Sequence, residues 1–360
     1  MNLVLAHDYL IQMGGAERVV AAMHRRFPQA PIYTSAVCRQ TLWEDFQDAE
    51  IRTTWLQHAP SIGNHTHFKK YLPLYPAAFR SFGVVKADYA WISSSTFAKY
   101  MRFAPGTRTV CYVHNPTRFL WQTDAYVDHE VGNSALNRIV RAALPLFRRF
   151  DVAAARRMDV LVANSRNVQE RILRCYQRPS LVIYPPVQTS RFQVSTIDEG
   201  FYLIVSRLLS YKNVDLAVRA FNKTGKNLVV IGDGPQRQAL EQMAGPSVQI
   251  LGRCSDADIK SHFERCRAFV FPGHEDFGIT PVEAMACGKP VIALQKGGAL
   301  ETVVENETGV FFGEPSEAAL LAAIAHLEKV SWDPAHIRKH AEQFSEEHFL
   351  DRMEAVLRGQ

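Results

Sequence analysis

The sequence predicts an α/β protein made of two doubly wound, Rossmann-like parallel-sheet domains. Three observations carry this. Short apolar runs of strand length alternate with helical patterns, which is how parallel strands joined by crossover helices read. The alternation halts at Pro185-Pro186 and restarts at Phe201. And 360 residues are more than one hydrophobic core comfortably holds. The first domain is expected over 1–186 and the second over 187–340.

In the first domain, strands are expected at 3–6, 31–36, 89–92, 109–113 and 160–163. Gly14-Gly15 follows the first strand, and Ala16, Val19, Val20, Met23 and Phe27 then recur on one helical face. Two glycines let the backbone approach a ligand at a helix start; a tight turn explains them as well. The G-x-G-x-x-G spacing of a dinucleotide site is missing. Asp8 and Glu17 stand nearby, as ligand contacts or as caps.

Ligands on such sheets gather at the carboxyl ends of strands. His114, in Tyr112-Val113-His114-Asn115-Pro116, ends one strand. It is either a base or donor toward a ligand, or a histidine satisfied by backbone. Ser165, after the next strand, is an N-cap or a ligand contact.

Two segments mix basic and apolar residues. One is 68–76, from Phe68-Lys69-Lys70 to Pro76; the other is 138–157, with six arginines. They suit the interface of an anionic bilayer, or else are solvated faces with snorkelling arginines.

The proline pair is a stiff connector. Strands are then expected at 201–205, 227–231, 248–251, 268–271, 290–294 and 310–312. Arg207 and Lys212 follow the first of these. A guanidinium fork matches phosphate, and an ammonium adds a movable point charge. Gly232-Asp233-Gly234-Pro235, Gly252-Arg253-Cys254 and Gly297-Gly298 end later strands. The D-x-D of Asp256 and Asp258 begins a helix, so Ser255 or Asp256 reads as a cap rather than a metal ligand.

The richest stretch runs from Gly273 to Gly288. Glu275, Phe277 and Gly278 form a loop, and a helix begins near Ile279 to Pro281, with Glu283 expected on its first turn. Unpaired amides at a helix start attract anions. Carboxylates beside them fit a ligand carrying both phosphates and hydroxyls, a nucleotide-sugar. Alternatively, Glu283 only complements the helix dipole and Glu275 is solvated.

The pair Glu275 and Glu283, seven residues between them, followed by Ala284-Met285-Ala286-Cys287-Gly288-Lys289-Pro290, resembles the retaining glycosyltransferases of family 4. The likeness is dense over 206–309. It implies the GT-B fold, with two Rossmann-like domains facing a cleft and a last helix, about 341–360, returning to the first domain. It implies that Arg207 and Lys212 grip the donor diphosphate, with Gly14, Gly15, Gly234, Phe277, Gly278, Ile279 and Thr280 bordering the donor. Arg253 and Cys254 stand where relatives hold the base by backbone. Glu283 holds the ribose and Glu275 the sugar, with His114 beside the transferred sugar. Thr117 to Trp121 resembles the subgroup that moves mannose onto bacterial surface glycans.

The implied reaction is retaining transfer of a hexose to a glycan or polyprenyl-diphosphate-linked acceptor. The donor is GDP-mannose or a UDP-hexose, and no metal or other cofactor takes part. A GT-B epimerase or a non-catalytic nucleotide-sugar-binding protein are the rival readings. A net charge of +5 is too mild to argue for nucleic acid. Six cysteines without a C-x-x-C pair, and no basic leader, predict a cytoplasmic protein, peripheral on the inner membrane if at all. The sequons at Asn64, Asn222 and Asn306 are then chance.

Overall fold

A computed structural model describes the chain except Met1, Met13, 64–67 and 122–134, and except the side chains of 68–70 and 135–142. The sequon at Asn64 and the side chains of Phe68, Lys69, Lys70, Arg138 and Arg141 lie outside the described residues.

The chain forms two compact units, Met1–Tyr184 with Phe349–Gln360, and Pro185–His348. The first holds β1 (Leu3–His7), β2 (Ile32–Thr34), β3 (Ile51–Thr53), β4 (Val84–Val85), β5 (Tyr89–Ser94), β6 (Arg102–Phe103), β7 (Arg108–Val113), β8 (Val160–Ala163) and β9 (Leu181–Val182). Seven of these make one sheet in the order β3-β2-β1-β5-β7-β8-β9, and β4 pairs with β6 apart from it. Every pairing in the large sheet is parallel. The edge strands β3 and β9 were not expected. They are short and half-exposed, so no apolar run marks them.

The central strands read as continuous apolar runs because both faces are covered. Along β1, Val4 and Ala6 join one core while Leu3 and Leu5 join the other. The C-terminal helix Glu346–Arg358 supplies Phe349, Met353, Val356 and Leu357 to the second of these, beside Trp91 and Tyr112. The return to the first unit begins at Phe349 rather than near 341. Val187 pairs with Ser345 and its N–H donates to Phe344 O, which keeps the chain up to there with the second unit.

The second unit holds β10 (Phe201–Val205), β11 (Asn227–Ile231), β12 (Val248–Gly252), β13 (Ala268–Phe271), β14 (Val291–Leu294) and β15 (Gly309–Phe312). They form one parallel sheet, ordered β12-β11-β10-β13-β14-β15. Strand order reverses between β10 and β13. A reversal of this kind opens a crevice beyond the carboxyl ends of the two strands.

Candidate functional site

The second unit gathers eleven of the predicted residues at that carboxyl end. β10 runs into the loop carrying Arg207 and Lys212, and β13 into the loop carrying Glu275. Lys212 Nζ forms an ion pair with Glu275 Oε1 across the reversal. Lys212 is buried to 9% exposure, so its charge is held rather than free to wander. Asn213 fixes the approach: it takes a left-handed conformation, φ 52°, opens the helix Val214–Thr224, and its Nδ2 donates to Pro272 O at 3.2 Å. The sequence reading missed Asn213, although a polar residue before an apolar helical run is a start signal. Arg207 is exposed, and its side chain makes no hydrogen bond or ion pair with the described residues.

Glycines let the loops nest. A Cβ on Gly273 would stand 2.8 Å from Lys212 Cα, and one on Gly234 2.9 Å from Leu208 N and C. Leu208 N–H donates to Asp233 O at 3.0 Å, which ties the β11 loop to the loop bearing Arg207. Gly298 N–H donates to Glu275 O at 2.9 Å, so the turn after β14 braces the Glu275 loop. Asp233 also pairs with the exposed Arg253, at 3.3 Å. Cys254 is half-buried at the end of the β12 loop.

The helix of the richest stretch spans Ile279–Ala286 and opens on Gly278, φ 89°, with no side-chain cap. Phe277 is buried beneath it, against Phe344 at 5.6 Å between ring centres. The helix starts two residues before Pro281. Glu283 therefore lies beyond its first turn, contrary to the sequence reading, and is buried. Ser255 caps its helix by accepting from Asp258 N–H, and Asp258 reaches back to Ser255 Oγ at 2.6 Å. Asp256 pairs with Arg191 at 2.8 Å. Both carboxylates of the D-x-D are thus engaged.

The first unit holds His114, Gly14 and Gly15. Its carboxyl end carries a hydrogen-bonded chain across three neighbouring strands, β1, β5 and β7. Gly14 N–H donates to Glu17 Oε2 at 3.0 Å, closing the start of the helix Gly15–Arg26. Glu17 Oε1 stands 3.8 Å from His7 Nε2. His7 Nδ1 meets Ser93 Oγ at 3.1 Å, and Ser93 Oγ meets His114 Nε2 at 2.8 Å. Burial lowers the pKa of His7, but the hydrogen bond and charge of Glu17, then Asp8, outweigh it and the net shift is upward. His114 is pushed down to about 3 by burial and by the neighbouring His7. It is therefore neutral near pH 7. His7 and Ser93 escaped the sequence reading; the signal was a polar residue closing an apolar strand run in each case.

Asp8 is structural. Its buried carboxylate accepts from the amides of Ser95, Thr96, Phe97 and Ala98, at 2.5 to 2.9 Å, and from Ser94 Oγ. Ser165 caps the helix Arg166–Tyr176, accepting from Val168 N–H. The Thr117 to Trp121 stretch is anchored by buried Asp151, which accepts from Thr117 Oγ1 at 3.0 Å and Trp121 Nε1 at 2.9 Å and pairs with Lys99 at 2.9 Å. Among the described residues no three His, Cys, Asp or Glu converge as a metal site, and no helix is long and apolar enough to cross a membrane.

Two family profiles match the chain: Glycosyltransferase Family 4 over residues 13–191, and Glycosyl transferases group 1 over 187–347. The chain is 29% identical to an uncharacterized glycosyltransferase of Methanocaldococcus jannaschii, over 45% of this chain and 48% of that protein. It is 25% identical to the alpha-1,3/1,6-mannosyltransferase ALG2 of Rhizomucor pusillus, over 99% and 91%. It is 26% identical to the O-antigen chain mannosyltransferase C of Escherichia coli, over 59% and 63%. The chain thus spans about half the length of the first relative and under two thirds of the third. Among solved structures, Anabaena Alr3699/HepE in complex with UDP superposes over all of both chains with a TM-score of 0.73 at 19% identity. Sucrose-phosphate synthase from Thermosynechococcus elongatus gives 0.69 at 16% identity, over 100% of this chain and 99% of that one. These two likenesses concern the fold.

Proposed function

This chain belongs to glycosyltransferase family 4 and has the GT-B fold, and on that premise we propose that it moves a hexose from a nucleotide-diphosphate sugar to a glycan or lipid-linked acceptor. The observation that carries the reading is the Lys212–Glu275 pair at the strand-order reversal, with exposed Arg207 on the same loop as Lys212. Cation and carboxylate side by side suit a ligand that is phosphate at one end and polyol at the other.

The leaving nucleoside diphosphate gains negative charge as the sugar bond breaks. Arg207, Lys212 and the uncapped amides at Ile279 and Thr280 are the donors for that charge. The dipole of one helix is worth only about 0.3–2 kcal/mol, so the two side chains carry most of it. Glu275 accepts from sugar hydroxyls and Glu283 from the ribose. Attack proceeds on the face the leaving group vacates, with the departing phosphate as base, so the anomeric configuration is retained and no metal takes part. In the first unit, neutral His114 is kept as a hydrogen-bonding group for a ligand.

Mannose from GDP-mannose is favoured by relatives named as mannosyltransferases. A UDP-hexose is the alternative, in line with the neighbour solved with UDP-glucose. A bacterial polysaccharide, assembled at the cytoplasmic face of a membrane, is the proposed setting.

Nucleoside diphosphate release tests this, after GDP-mannose, UDP-glucose, UDP-galactose and UDP-N-acetylglucosamine have been screened for thermal stabilisation. Release that depends on acceptor is expected. Arg207→Ala and Lys212→Ala should each lower turnover by about 10²–10³ with the melting transition retained. Epimerised nucleotide-sugar without release, or wild-type turnover in both variants, would refute it.

A further inference from the structure

We propose that His7 and Ser93 are positioning residues: they fix neutral His114 with its proton on Nδ1, so that the first unit offers its ligand a hydrogen-bond donor and not a base. The strand ends bring the three together. His7 and Ser93 are register partners on β1 and β5, and Ser93 and Tyr112 are partners on β5 and β7. His114 lies two residues beyond Tyr112, and side chains two apart along a strand share a face. All three groups therefore stand on one face of the sheet, within hydrogen-bonding reach.

The direction of each hydrogen bond follows from what the atoms can do. His7 Nδ1 lies 3.2 Å from the backbone oxygen of Ser93 and 3.1 Å from its Oγ. A carbonyl oxygen only accepts, so His7 Nδ1 carries a proton. Ser93 Oγ accepts from that same N–H, and the serine is fully buried. Among the described residues its own hydrogen then has one acceptor within reach, His114 Nε2 at 2.8 Å. Were His114 Nε2 protonated instead, its N–H and that of His7 would both point at Ser93 Oγ. A buried hydroxyl hydrogen would then be left unpaired, which is costly. His114 Nε2 is thus the acceptor, and the proton of the neutral ring sits on Nδ1.

Both ends of the chain hold it in this state. Glu17 Oε1, 3.8 Å from His7 Nε2, favours a proton on that nitrogen too, so His7 is satisfied as the imidazolium. Burial, and then the positive charge of His7, keep His114 neutral. Tyr112, anchored by its hydroxyl to Ile183 O at 3.0 Å, packs edge-on against the His114 ring, 5.2 Å between centres. His114 is half-buried and its Nδ1 makes no hydrogen bond with the described residues, so that N–H is the group left for a ligand. It can donate to a hydroxyl or phosphate oxygen but cannot take up a proton there. The base must then be another group, in keeping with the departing phosphate. The identity of the ligand rests on the transferase reading; the place of the proton does not.

The test uses the full chain without ligand, labelled with ¹⁵N at histidine and read by long-range ¹H–¹⁵N correlation at neutral pH. Among 13 histidines, the signals of His114 are those lost in His114→Gln. In the parent, His114 Nδ1 should show the shift of a protonated nitrogen and Nε2 that of an unprotonated one. Ser93→Ala removes the hydroxyl and should give a mixture of both tautomers. His7→Asn sets an amide N–H where the Nδ1–H stood and should keep the parental tautomer. Acceptor-dependent release should fall about tenfold in Ser93→Ala, the worth of one hydrogen bond, and stay within about twofold in His7→Asn. A protonated Nε2 in the parent would overturn the proposal, and this spectrum decides even if a variant fails to fold. So would a Ser93→Ala spectrum identical to the parent, or mixed tautomers in His7→Asn. The expected tautomer without nucleoside diphosphate release would uphold the proposal and sink the transferase reading alone.

Discussion

Replacing Gly273 with alanine puts a single methyl where the β13 loop passes the Lys212 loop. That Cβ would lie 2.8 Å from Lys212 Cα, 3.0 Å from its carbonyl oxygen and 3.2 Å from its carbonyl carbon. Ordinary contact begins near 3.4 Å, so the two backbones must part by about 0.6 Å. All three atoms are main chain and cannot swing aside as a side-chain tip would. Gly273 is not among the glycines in the left-handed region, so the penalty is steric alone. Overpacking of this kind costs about 1–3 kcal/mol. The larger effect is on geometry, because the displaced loops carry Lys212 and Glu275. A misplacement near 1 Å can cost about 10²-fold in rate, so a turnover loss of some tens-fold is expected. Gly313→Ala is the control, since its Cβ would meet only Gln295 Oε1 at 3.8 Å; it should stay within about 0.5 kcal/mol of the parent. Urea midpoints and acceptor-dependent nucleoside diphosphate release measure both variants. Parental turnover and midpoint in Gly273→Ala would refute the close approach and its role.

Three further outcomes follow from buried charge. Asp8→Ala strips a carboxylate from four amides; at about 1–3 kcal/mol for each buried donor left unpaired, the variant should lose more than about 4 kcal/mol or fail to fold, by urea denaturation. Asp151→Ala leaves buried Lys99 without its counter-charge and should cost about 3–5 kcal/mol. The double variant Lys99→Met/Asp151→Leu should recover most of that in the same assay. His114 sets an acid limb: its pKa of about 3 in the folded chain lies below the unfolded 6.5, so the unfolded chain binds more protons between those values and stability falls as pH drops through them. His7, raised, acts oppositely, its contribution being present below about 6.5 and lost as pH rises through its folded value. Urea midpoints at several pH values should show a shallower acid limb in His114→Asn than in the parent.

Much of the fold was legible because buried parallel strands need apolar residues on both faces. β1, β5, β7 and the strands from β10 to β15 announce themselves that way, and Pro185-Pro186 marks the break between the units. β3 and β9 did not, because these edge strands are only three and two residues long and half-exposed, so no apolar run marks them. Helix starts were partly legible: Ser165 and Ser255 cap as their chemistry suggests, while the helix of Glu283 began earlier than Pro281 indicated.

The sequence by itself determined the alternation of strand and helix, the presence of two units, and the chemical character of the loops, since each depends on neighbours a few residues apart. Only the tertiary structure decided which loops meet. Lys212 and Glu275 are 63 positions apart and become partners because strand order reverses between β10 and β13. His7, Ser93 and His114 line up because β5 lies between β1 and β7. Asp8 turned from candidate ligand contact to loop anchor for the same reason, its carboxylate folded against amides almost 90 residues away. Hydrogen bonds and ion pairs act over about 3 Å in space regardless of separation along the chain, so those assignments had to wait for the packed sheet.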